Sequence, residues 1–374
     1  MAFIGSRGYP SNYGGYESFI REVSERLVNM GVEVTVYCHK PLFENRPKTL
    51  NGIRLVYLPA IETKIFSQLS HSLLSLIHAS VRSYDLIFVV NSANGPLGWL
   101  PKLFGKKTVI NVDGMEWLRP KWRGIPARYF LFAAKMATKY YDCLVSDADE
   151  MRKVYLEYFG ADSEVIAYGA PKALSVSNKD RIAKWGIQSR QYYLIVGRLI
   201  PDNNSRLIAE GFLKSKSDKK LVIVGGVPYK DKYVNDIIKL AESDSRLVVT
   251  GHINDRRDVA ELFQNSYMYI HGHEFGGTNP TMIEALGYNC AILALNTRFN
   301  QEMLQNGQYG LYFEKSTESV CSIINEWDIR SLEVEKLREK ASEGVIEKYK
   351  WDNVSKQYFD LFQAVINGGY QKRK

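Results

Sequence analysis

Short hydrophobic runs of strand length alternate with stretches of helical spacing along most of this 374-residue chain. Because the segments between most of these runs have the 3.6-residue periodicity of amphipathic helices, the pattern predicts parallel sheets with helices on both faces. In the first half the hydrophobic runs cover residues 3–5, 32–37, 53–57, 86–90, 108–112 and 143–146. In the second half they cover residues 192–197, 221–225, 247–250, 267–270 and 291–294.

The alternation is interrupted once, which predicts two domains. Around residues 165–171 the pattern loosens, and residues 172–189 are polar. The chain also exceeds the roughly 250–300 residues at which a single core usually stops growing. We therefore predict a first Rossmann-like domain over residues 1–170, a linker over 171–190, a second Rossmann-like domain over 191–350 and a final helical segment over 351–374.

A glycine pair late in the chain lies between a predicted strand and a predicted helix. Asn279 is suited to cap that helix, and Pro280 to occupy its first position. Gly276 and Gly277 precede the cap, so unpaired N–H groups and the positive end of the helix dipole point into the loop. Glu284, one turn into the helix, could accept hydrogen bonds from sugar hydroxyls. The arrangement is typical of a diphosphate site, although an ordinary turn between strand and helix has the same pattern.

A second glycine pair, Gly14-Gly15, follows the first hydrophobic run of the chain. Residues 6–15 form a long polar loop, and residues 16–27 have helical spacing. Neither glycine pair belongs to a Gly-x-Gly-x-x-Gly dinucleotide fingerprint or to a P-loop. Since ligands of parallel sheets bind at the carboxyl ends of strands, we expect the two loops to face each other across an interdomain site.

The composition indicates a folded protein without a membrane span. Apolar residues make up 45 % of the chain, and its most apolar stretch, residues 65–81, is interrupted by Ser, Gln and His. The cysteines are far apart and form no Cys-x-x-Cys motif, which favours reduced thiols in a cytoplasmic protein. They are Cys38, Cys143, Cys290 and Cys321.

The net charge of +8 favours anionic partners. Basic and aromatic residues interleave between residues 99 and 141, which suits the headgroup region of an anionic bilayer. The alternative is a core helix with a solvated basic face. No nucleic-acid-binding motif accompanies the charge, so nucleic acid is the less favoured partner. The basic residues are Lys102, Lys106, Lys107, Arg119, Lys121, Arg123, Arg128, Lys135 and Lys139.

Several motifs together resemble the family 4 glycosyltransferases, which have the GT-B architecture of two facing Rossmann-like, doubly wound parallel-sheet domains. The final helix of that family crosses back to the first domain. Within the family, residues 5–10, 112–117, 121–122, 201–204, 271–273 and 276–280 resemble the bacterial polysaccharide rhamnosyltransferases. The motifs of the wider family are Asn12-Tyr-Gly-Gly-Tyr-Glu17, Tyr168-Gly-Ala170, Val196-Gly-Arg-Leu199, the region from Glu274 to Glu284, and Trp351-Asp-Asn-Val354.

The resemblance implies an enzyme that transfers a hexose from a nucleotide sugar, with retention at the anomeric carbon and without a metal or another cofactor. The donor it implies is dTDP-rhamnose, and the acceptor is a lipid-linked saccharide at the inner face of the cytoplasmic membrane. Three alternatives stay open: a family 4 transferase that uses a UDP- or GDP-sugar, a GT-B nucleotide-sugar epimerase, and a catalytically silent GT-B scaffold that binds saccharide or partners.

The resemblance also assigns roles to residues of the second domain. Arg198 and the backbone amides of the glycine loops are expected to stabilise the leaving diphosphate. Glu284 is expected to bind the ribose, His273 a phosphate or sugar, and residues 250–254 the base. The expected donor-binding residues are Gly14, Gly15, Arg198, Asn203, His273, Gly276, Gly277, Thr278, Asn279 and Glu284.

Asp113 follows a predicted strand of the first domain, at the place where many relatives carry a histidine. With Glu116 and Trp117 on the same loop, it is expected to contact a sugar hydroxyl or to act as a base. Asp113, Glu116 and Arg198 are therefore the expected catalytic residues. The alternative is that Asp113 caps the following turn and Trp117 packs.

Two positions depart from the family pattern. The paired acids usual in the family lie eight positions apart, but the residue eight positions before Glu284 is Gly276, and Glu274 lies two residues earlier. The usual diphosphate-binding lysine falls at Asn203, whose neutral amide cannot supply a charge. Another basic residue, Arg7 or Arg206, could compensate.

Several other polar residues are expected to be structural. His271 and His273 alternate at a strand end without a third ligand nearby, so we expect no metal site there and a packed His271. Asp147 precedes a helical pattern and is expected to cap it. His71 and His78, seven residues apart on an apolar helix, are expected to have satisfied ring nitrogens.

Overall fold

The computed structural model describes residues 1–10, 15–61, 63, 66–119, 122–170, 174, 180–227, 231–345 and 348–371. The chain divides into two compact units. The first comprises Met1–Gly169, Gly276–Thr278 and Lys348–Lys374, and the second comprises Ala170–Phe275 and Asn279–Glu347.

The sheet of the first unit is parallel except at one edge. Its strands run in the order β3-β4-β2-β1-β5-β6-β7-β8, and only β3 and β4 pair antiparallel among those described. That hairpin turns at Asn51 and Gly52, whose φ angles of 52° and 76° suit a two-residue Asn-Gly turn. The strands are β1 (Ala2–Ile4), β2 (Thr35–His39), β3 (Thr49–Leu50), β4 (Ile53–Leu58), β5 (Leu86–Val90), β6 (Lys107–Asn111), β7 (Cys143–Ser146) and β8 (Glu164–Val165).

The sheet of the second unit is parallel throughout its described strands, with the order β11-β10-β9-β12-β13-β14. The predicted strands of both halves are confirmed, whereas the short strands β3, β8 and β14 were not predicted. The strands of this sheet are β9 (Tyr192–Val196), β10 (Lys220–Val224), β11 (Leu247–Gly251), β12 (Met268–His271), β13 (Ile292–Leu295) and β14 (Gly310–Phe313).

Helices α1 to α5 and α14 belong to the first unit, and α6 to α13 to the second. In chain order they are α1 (Gly15–Asn29), α2 (Phe66–Ser80), α3 (Trp99–Leu103), α4 (Ile125–Tyr140), α5 (Asp149–Phe159), α6 (Asp180–Ala183), α7 (Ser205–Leu213), α8 (Lys232–Ser243), α9 (Arg256–Asn265), α10 (Pro280–Gly287), α11 (Arg298–Met303), α12 (Thr317–Trp327), α13 (Ser331–Ala341) and α14 (Trp351–Ile366).

The C-terminal helix α14 completes the core of the first unit. The ring of Phe19 on α1 lies 5.1 Å from that of Tyr358, and Phe362 lies 5.3 Å from Phe88 on β5. Trp351 covers Gly169, where a Cβ would lie only 2.2 Å from the indole. The first sheet therefore buries its aromatic face against a segment more than 180 residues farther along the chain.

Helix α6 falls in the range predicted as a linker. Arg181 and Lys184, within and just after this helix, both form ion pairs with Asp258 on α9. Helix α6 and Lys184 are therefore packed within the second unit.

The two histidines of α2 differ in their surroundings. Nδ1 of His78 lies 2.8 Å from the hydroxyl of Tyr37, as a satisfied structural histidine requires. His71 is buried and its ring stacks on His39 with centroids 3.8 Å apart. Within the described chain its ring nitrogens meet no partner in standard hydrogen-bond geometry, although the Cys38 backbone lies near enough to oppose the lowering of its pKa, so the prediction is confirmed for His78 only.

Candidate functional site

The second sheet has a topological switch point between β9 and β12, because the chain moves outward from β9 to β11 on one side and from β12 to β14 on the other. Ligands of such sheets bind beyond the carboxyl ends of the strands at this point. A Cβ on Gly225, after β10, would lie 1.8 Å from the carbonyl oxygen of Gly197, after β9. The loops after β9 and β10 therefore pack backbone against backbone at Gly197 and Gly225.

Arg198 follows Gly197, just beyond the end of β9, and its side chain is exposed. Asn203, expected to bind the donor beside it, is only 5 % exposed, and its Nδ2 donates to the Arg198 carbonyl oxygen at 2.7 Å. Asn204 donates to the carbonyl oxygen of Gly272, after β12, at 2.8 Å. Asn203 thus supports the backbone of Arg198, and its contact with the donor stays a prediction.

His271 ends β12, and its ring stacks on that of His273, two residues later. The ring of His273 lies 4.6 Å from that of His271, whose Nδ1 lies 3.1 Å from the Tyr269 hydroxyl. Burial lowers the pKa of His271 to about 3, so its ring is neutral near pH 7. The prediction that His271 packs within its strand is confirmed, while His273 is half-buried. No cluster of three or more His, Cys, Asp or Glu suited to a metal ion occurs in the described ranges.

Helix α10 begins as predicted. The Asn279 side chain caps it by accepting from the Thr281 N–H at 3.1 Å, and Pro280 occupies the first position. Glu284 is half-buried, and burial raises the pKa of its carboxyl group while Arg256 opposes the shift. The Arg256 guanidinium lies 3.9 Å from it, at the start of α9. The acid expected to bind ribose therefore lies beside a cation.

Glu274 forms an ion pair with a residue that the sequence did not single out. Its Oε2 lies 2.6 Å from Nζ of Lys315, which follows β14. Its backbone N–H donates to the Asp202 carbonyl oxygen at 3.1 Å. The acid without a clear place in the family pattern is thus held by a lysine and by the turn after β9.

Two carboxyl groups meet at the carboxyl edge of the first sheet. β6 and β7 pair with Asn111 opposite Val145, and Asp113 and Asp147 each follow two residues later. Burial and the charge of Asp113 raise the pKa of Asp147 well above its ordinary value. Burial also raises the pKa of Asp113, while Arg119 opposes the shift. The pair therefore keeps a proton at a higher pH than an exposed aspartate does.

Asp147 does not cap helix α5, so that prediction is wrong. Ala148 occupies the N-cap position, and the Asp147 carboxylate instead accepts from the backbone N–H of Thr278 at 2.8 Å. The Thr278 hydroxyl donates to the Asp147 carbonyl oxygen at 2.5 Å. Contrary to expectation, the Thr278 amide is occupied by a carboxylate rather than open to a phosphate. Gly277 also lies against Asp147, since a Cβ there would be 1.9 Å from Oδ1 of this residue. Gly276 adopts a φ of 116°, a conformation that favours glycine.

The loop after Asp113 is held by its own contacts. Glu116 accepts from Nε1 of Trp122 at 2.5 Å and pairs with Arg119 at 2.9 Å. The charge of this expected catalytic residue is therefore already matched. Trp117 is buried, which agrees with the packing alternative, and it contacts Tyr155, Tyr158 and Phe159.

The N-terminal glycine pair is only partly visible, since Gly14 lies outside the described residues. Gly15 begins α1 and is exposed. Tyr16 donates its hydroxyl to the Asp113 carbonyl oxygen at 3.2 Å. Tyr16 and Asp147 thus both interact with Asp113, and neither was among the predicted site residues. An acid two residues beyond each of two adjacent strands was the available signal for Asp147.

One face of α4 combines apolar and basic side chains in water, whereas its buried face consists of alanines. On the neighbouring surface Leu103 is 72 % exposed, and Ile125 at the start of α4 is 83 % exposed. Helices α2 and α3 pack together and expose further apolar side chains. No helix in the described part of the chain has the length and hydrophobicity to cross a membrane. The exposed residues on α4 are Ile125, Arg128, Leu131, Phe132, Lys135 and Lys139.

Two family models match parts of the chain. Residues 177–345 match Glycosyl transferases group 1, and residues 83–171 match a domain of unknown function, DUF1972. The first match contains the switch point of the second sheet, and the second contains Asp113 and Asp147.

A curated relative matches over part of its length. It is the N-acetylgalactosamine-N,N'-diacetylbacillosaminyl-diphospho-undecaprenol 4-alpha-N-acetylgalactosaminyltransferase of Campylobacter jejuni, with 26 % identity over 137 residues, which is 34 % of this chain and 34 % of the relative. The match thus spans about a third of that protein.

Solved structures match over nearly the whole chain. Sucrose-phosphate synthase from Thermosynechococcus elongatus has a TM-score of 0.83 at 17 % identity, covering 98 % of this chain and 99 % of that one. HepE from Anabaena, in complex with UDP-glucose, has a TM-score of 0.76 at 14 % identity, covering 97 % and 99 %. At such identities the likeness concerns the fold.

Proposed function

We propose that this chain, a GT-B glycosyltransferase whose residues 177–345 belong to the glycosyl transferases group 1, moves a sugar from a nucleotide sugar onto a saccharide acceptor in cell-surface polysaccharide synthesis. The observation that carries the proposal is the carboxyl edge of the second sheet at its switch point. An exposed Arg198 and a half-buried His273 each lie two residues beyond the end of their strand, and helix α10, capped by Asn279, follows His273 in the chain. All lie within the matched range.

The reaction chiefly requires stabilisation of a leaving nucleoside diphosphate. The Arg198 guanidinium can form charge-assisted hydrogen bonds to phosphate, and the N-terminal end of α10 adds a partial positive charge. Both favour negative charge as it develops on the departing oxygen. In a front-face mechanism with retention, the bond from the acceptor oxygen to the anomeric carbon forms on the face from which the diphosphate leaves, and the departing phosphate oxygen accepts the proton of the attacking hydroxyl, so no protein base is needed.

Glu284 is proposed to bind the ribose of the donor. A carboxylate accepts hydrogen bonds from both hydroxyls of a ribose, and such bonds favour its ionised form. The nearby Arg256 also favours ionisation, which counters the burial that raises the pKa of Glu284.

In the first unit, Asp113 is proposed to contact a sugar hydroxyl. Because Asp113 and Asp147 together keep a proton, the pair can donate as well as accept a hydrogen bond. Glu116, already paired with Arg119, is proposed to hold the loop rather than to take part in the reaction.

The proposed donor is dTDP-rhamnose. Support comes from the likeness of residues 5–10, 112–117, 271–273 and 276–280 to the bacterial polysaccharide rhamnosyltransferases. A UDP-sugar is the second candidate, because the structurally similar HepE binds UDP-glucose.

The proposed acceptor is a lipid-linked saccharide at the inner face of the cytoplasmic membrane. The name of the Campylobacter relative specifies a diphospho-undecaprenol saccharide. The apolar and basic face of α4 suits an anionic lipid surface, on which basic residues meet headgroups and apolar ones enter the acyl boundary.

Thermal unfolding with dTDP, UDP and GDP tests the donor. A ligand at 100 times its Kd stabilises the folded state by about 2.7 kcal/mol, so the correct nucleotide should raise the Tm clearly. Stabilisation by UDP or GDP but not dTDP would contradict dTDP-rhamnose. If none of the three binds and labelled nucleotide sugars give no product, the proposed transferase activity is wrong.

A further inference from the structure

Position 203 leaves the donor diphosphate without the second cation that the family pattern provides. Asn203 is neutral and its amide is bonded to the Arg198 carbonyl oxygen. Arg206, the next basic residue, donates to Glu210 at 2.7 Å and to Asp236 at 2.9 Å. The turn after β9 therefore has no cation besides Arg198, and the charge of Arg206 at the start of α7 is shared between two carboxylates.

Lys315 reaches the same sheet edge from the other side. In the parallel rows of β12, β13 and β14, His271 lies opposite Ala294, which lies opposite Tyr312. Glu274 lies three residues after His271, and Lys315 lies three residues after Tyr312. With about 4.8 Å between neighbouring strands, the ends of β12 and β14 lie about 10 Å apart. The side chains of Lys315 and Glu274 together bridge this gap, and Nζ of the lysine meets Oε2 of the glutamate.

Glu274 holds the ammonium group at the switch point. Its backbone is tied to the Asp202 carbonyl oxygen, in the turn that also contains Asn203, and it directly follows His273. The Lys315 side chain remains 49 % exposed. An ammonium group has three N–H donors, so Lys315 can bind Glu274 and an anionic ligand together.

The ion pair contributes little to folding, since exposed pairs generally give about 0–1 kcal/mol. A second pair, Lys214 with Glu318, joins the end of α7 to α12 at 2.7 Å. Its lysine is 52 % exposed, close to the value for Lys315, and its glutamate is 74 % exposed, against 23 % for Glu274. What distinguishes the Lys315 pair is its place beyond the carboxyl ends of the strands, where ligands of such sheets bind.

We propose that Lys315 is the second cation for the donor diphosphate, acting with Arg198, and that Glu274 is the positioning residue that holds its ammonium group at the loop. The inference rests on the proposed function. It gives Glu274 a role that its displaced position in the sequence did not suggest.

Binding of dTDP and UDP to Lys315→Met, measured by titration calorimetry, tests the proposal. The variant should bind the preferred diphosphate at least about tenfold more weakly, because one charge-assisted contact is lost. Binding of the corresponding nucleoside should not change. Lys315→Arg should keep most of the affinity, and Lys214→Met should match the wild type. Unchanged Tm values would show that all three variants are folded.

The outcomes distinguish an error in the role of Lys315 from an error in the proposed donors. If the wild type binds a diphosphate and Lys315→Met binds it equally well, the role of Lys315 is wrong while the transferase proposal stands. If the wild type binds neither dTDP nor UDP, the proposed donors are wrong, and this inference falls with them.

A double variant tests the positioning role. Glu274→Gln should weaken diphosphate binding less than Lys315→Met does, and Glu274→Gln with Lys315→Met should bind no more weakly than Lys315→Met alone. Additive losses would show that Glu274 acts independently of the lysine and would overturn its role as a positioning residue.

Discussion

At the scale of single residues, existing partners decide which charges remain available to a ligand. Arg198 is exposed at the end of β9, whereas Arg206, eight positions later, is shared between Glu210 and Asp236. The two arginines are alike in chemistry and near in sequence, but only Arg198 lies at the switch point. They therefore form a matched pair for testing.

We predict that Arg198→Ala lowers kcat/KM by about 100- to 1,000-fold, the effect typical of losing one donor that stabilises developing negative charge. The folded structure should persist, because the side chain is exposed. Steady-state kinetics with labelled donor checks this prediction. Arg206→Ala, the control, should change kcat/KM little, and an equal loss in both variants would contradict the assignment.

For His71, burial in the protein determines the pKa of the ring. Burial is the largest effect on this ring and lowers its pKa from 6.5 to about 3, and the neighbouring His39 acts in the same direction. The unfolded chain therefore binds a proton first as the pH falls. The stability that depends on a neutral His71 is complete above about pH 6.5 and is lost progressively towards pH 3.

We predict that His71→Phe reduces the loss of stability between pH 6.5 and pH 4, by an amount on the order of a few kcal/mol in the free energy of unfolding. Phenylalanine can keep the stacking on His39 but cannot take up a proton. Urea unfolding at several pH values measures the effect. The exposed His252→Gln should keep the wild-type pH dependence, and an equally steep pH dependence in His71→Phe would refute the prediction.

At the scale of elements, strand pairing brings together residues that are far apart in the chain. Asp113 and Asp147 become neighbours because β6 and β7 pair in parallel. In the Gly277-Thr278 segment, Gly277 then lies so close to Asp147 that it has no room for a side chain, and Thr278 donates its backbone N–H to the Asp147 carboxyl group. Gly277, which the sequence predicted as part of a phosphate-binding loop, is thus also required for packing.

We predict that Gly277→Ala displaces this segment and destabilises the protein by about 1–3 kcal/mol, since the new methyl group would overlap the Asp147 carboxylate. Gly287→Ala is the matched control. It lies at the end of α10 with nothing within 4 Å of a Cβ, so it should be neutral or slightly stabilising. Thermal unfolding compares the two, and equal Tm values would contradict the packing argument.

At the scale of the whole molecule, the positive net charge is combined with an exposed apolar surface on α2, α3 and α4. The charge alone would attract any polyanion, whereas the apolar side chains favour the headgroup boundary of a bilayer. Lipid binding should therefore depend on where the charge is removed as well as on how much is removed.

We predict that vesicles containing anionic lipid retain the protein at low salt and release it as salt is added, because screening weakens the attraction. Lys135→Glu with Lys139→Glu on α4 should abolish retention in a flotation assay. Lys232→Glu with Lys239→Glu on α8 changes the net charge equally and should bind nearly as the wild type does. Equal losses in both variants would show non-specific attraction.

The sequence by itself determined the order of strands and helices, the division into two α/β halves and the Asn279 cap. These features depend on periodicity, turn residues and capping, which act over a few neighbouring residues. It therefore also indicated which loops follow strands and that Arg198 lies at such a position.

Only the tertiary structure decided which loop residues meet. It placed Asp147 against Asp113 and Thr278, made Asn203 a support for Arg198, and brought Lys315 to Glu274. Such contacts depend on the lateral order and register of parallel strands, and local periodicity does not encode them. Because side chains from distant strands compete for the same donors and charges, their final partners appear only once the sheets are assembled.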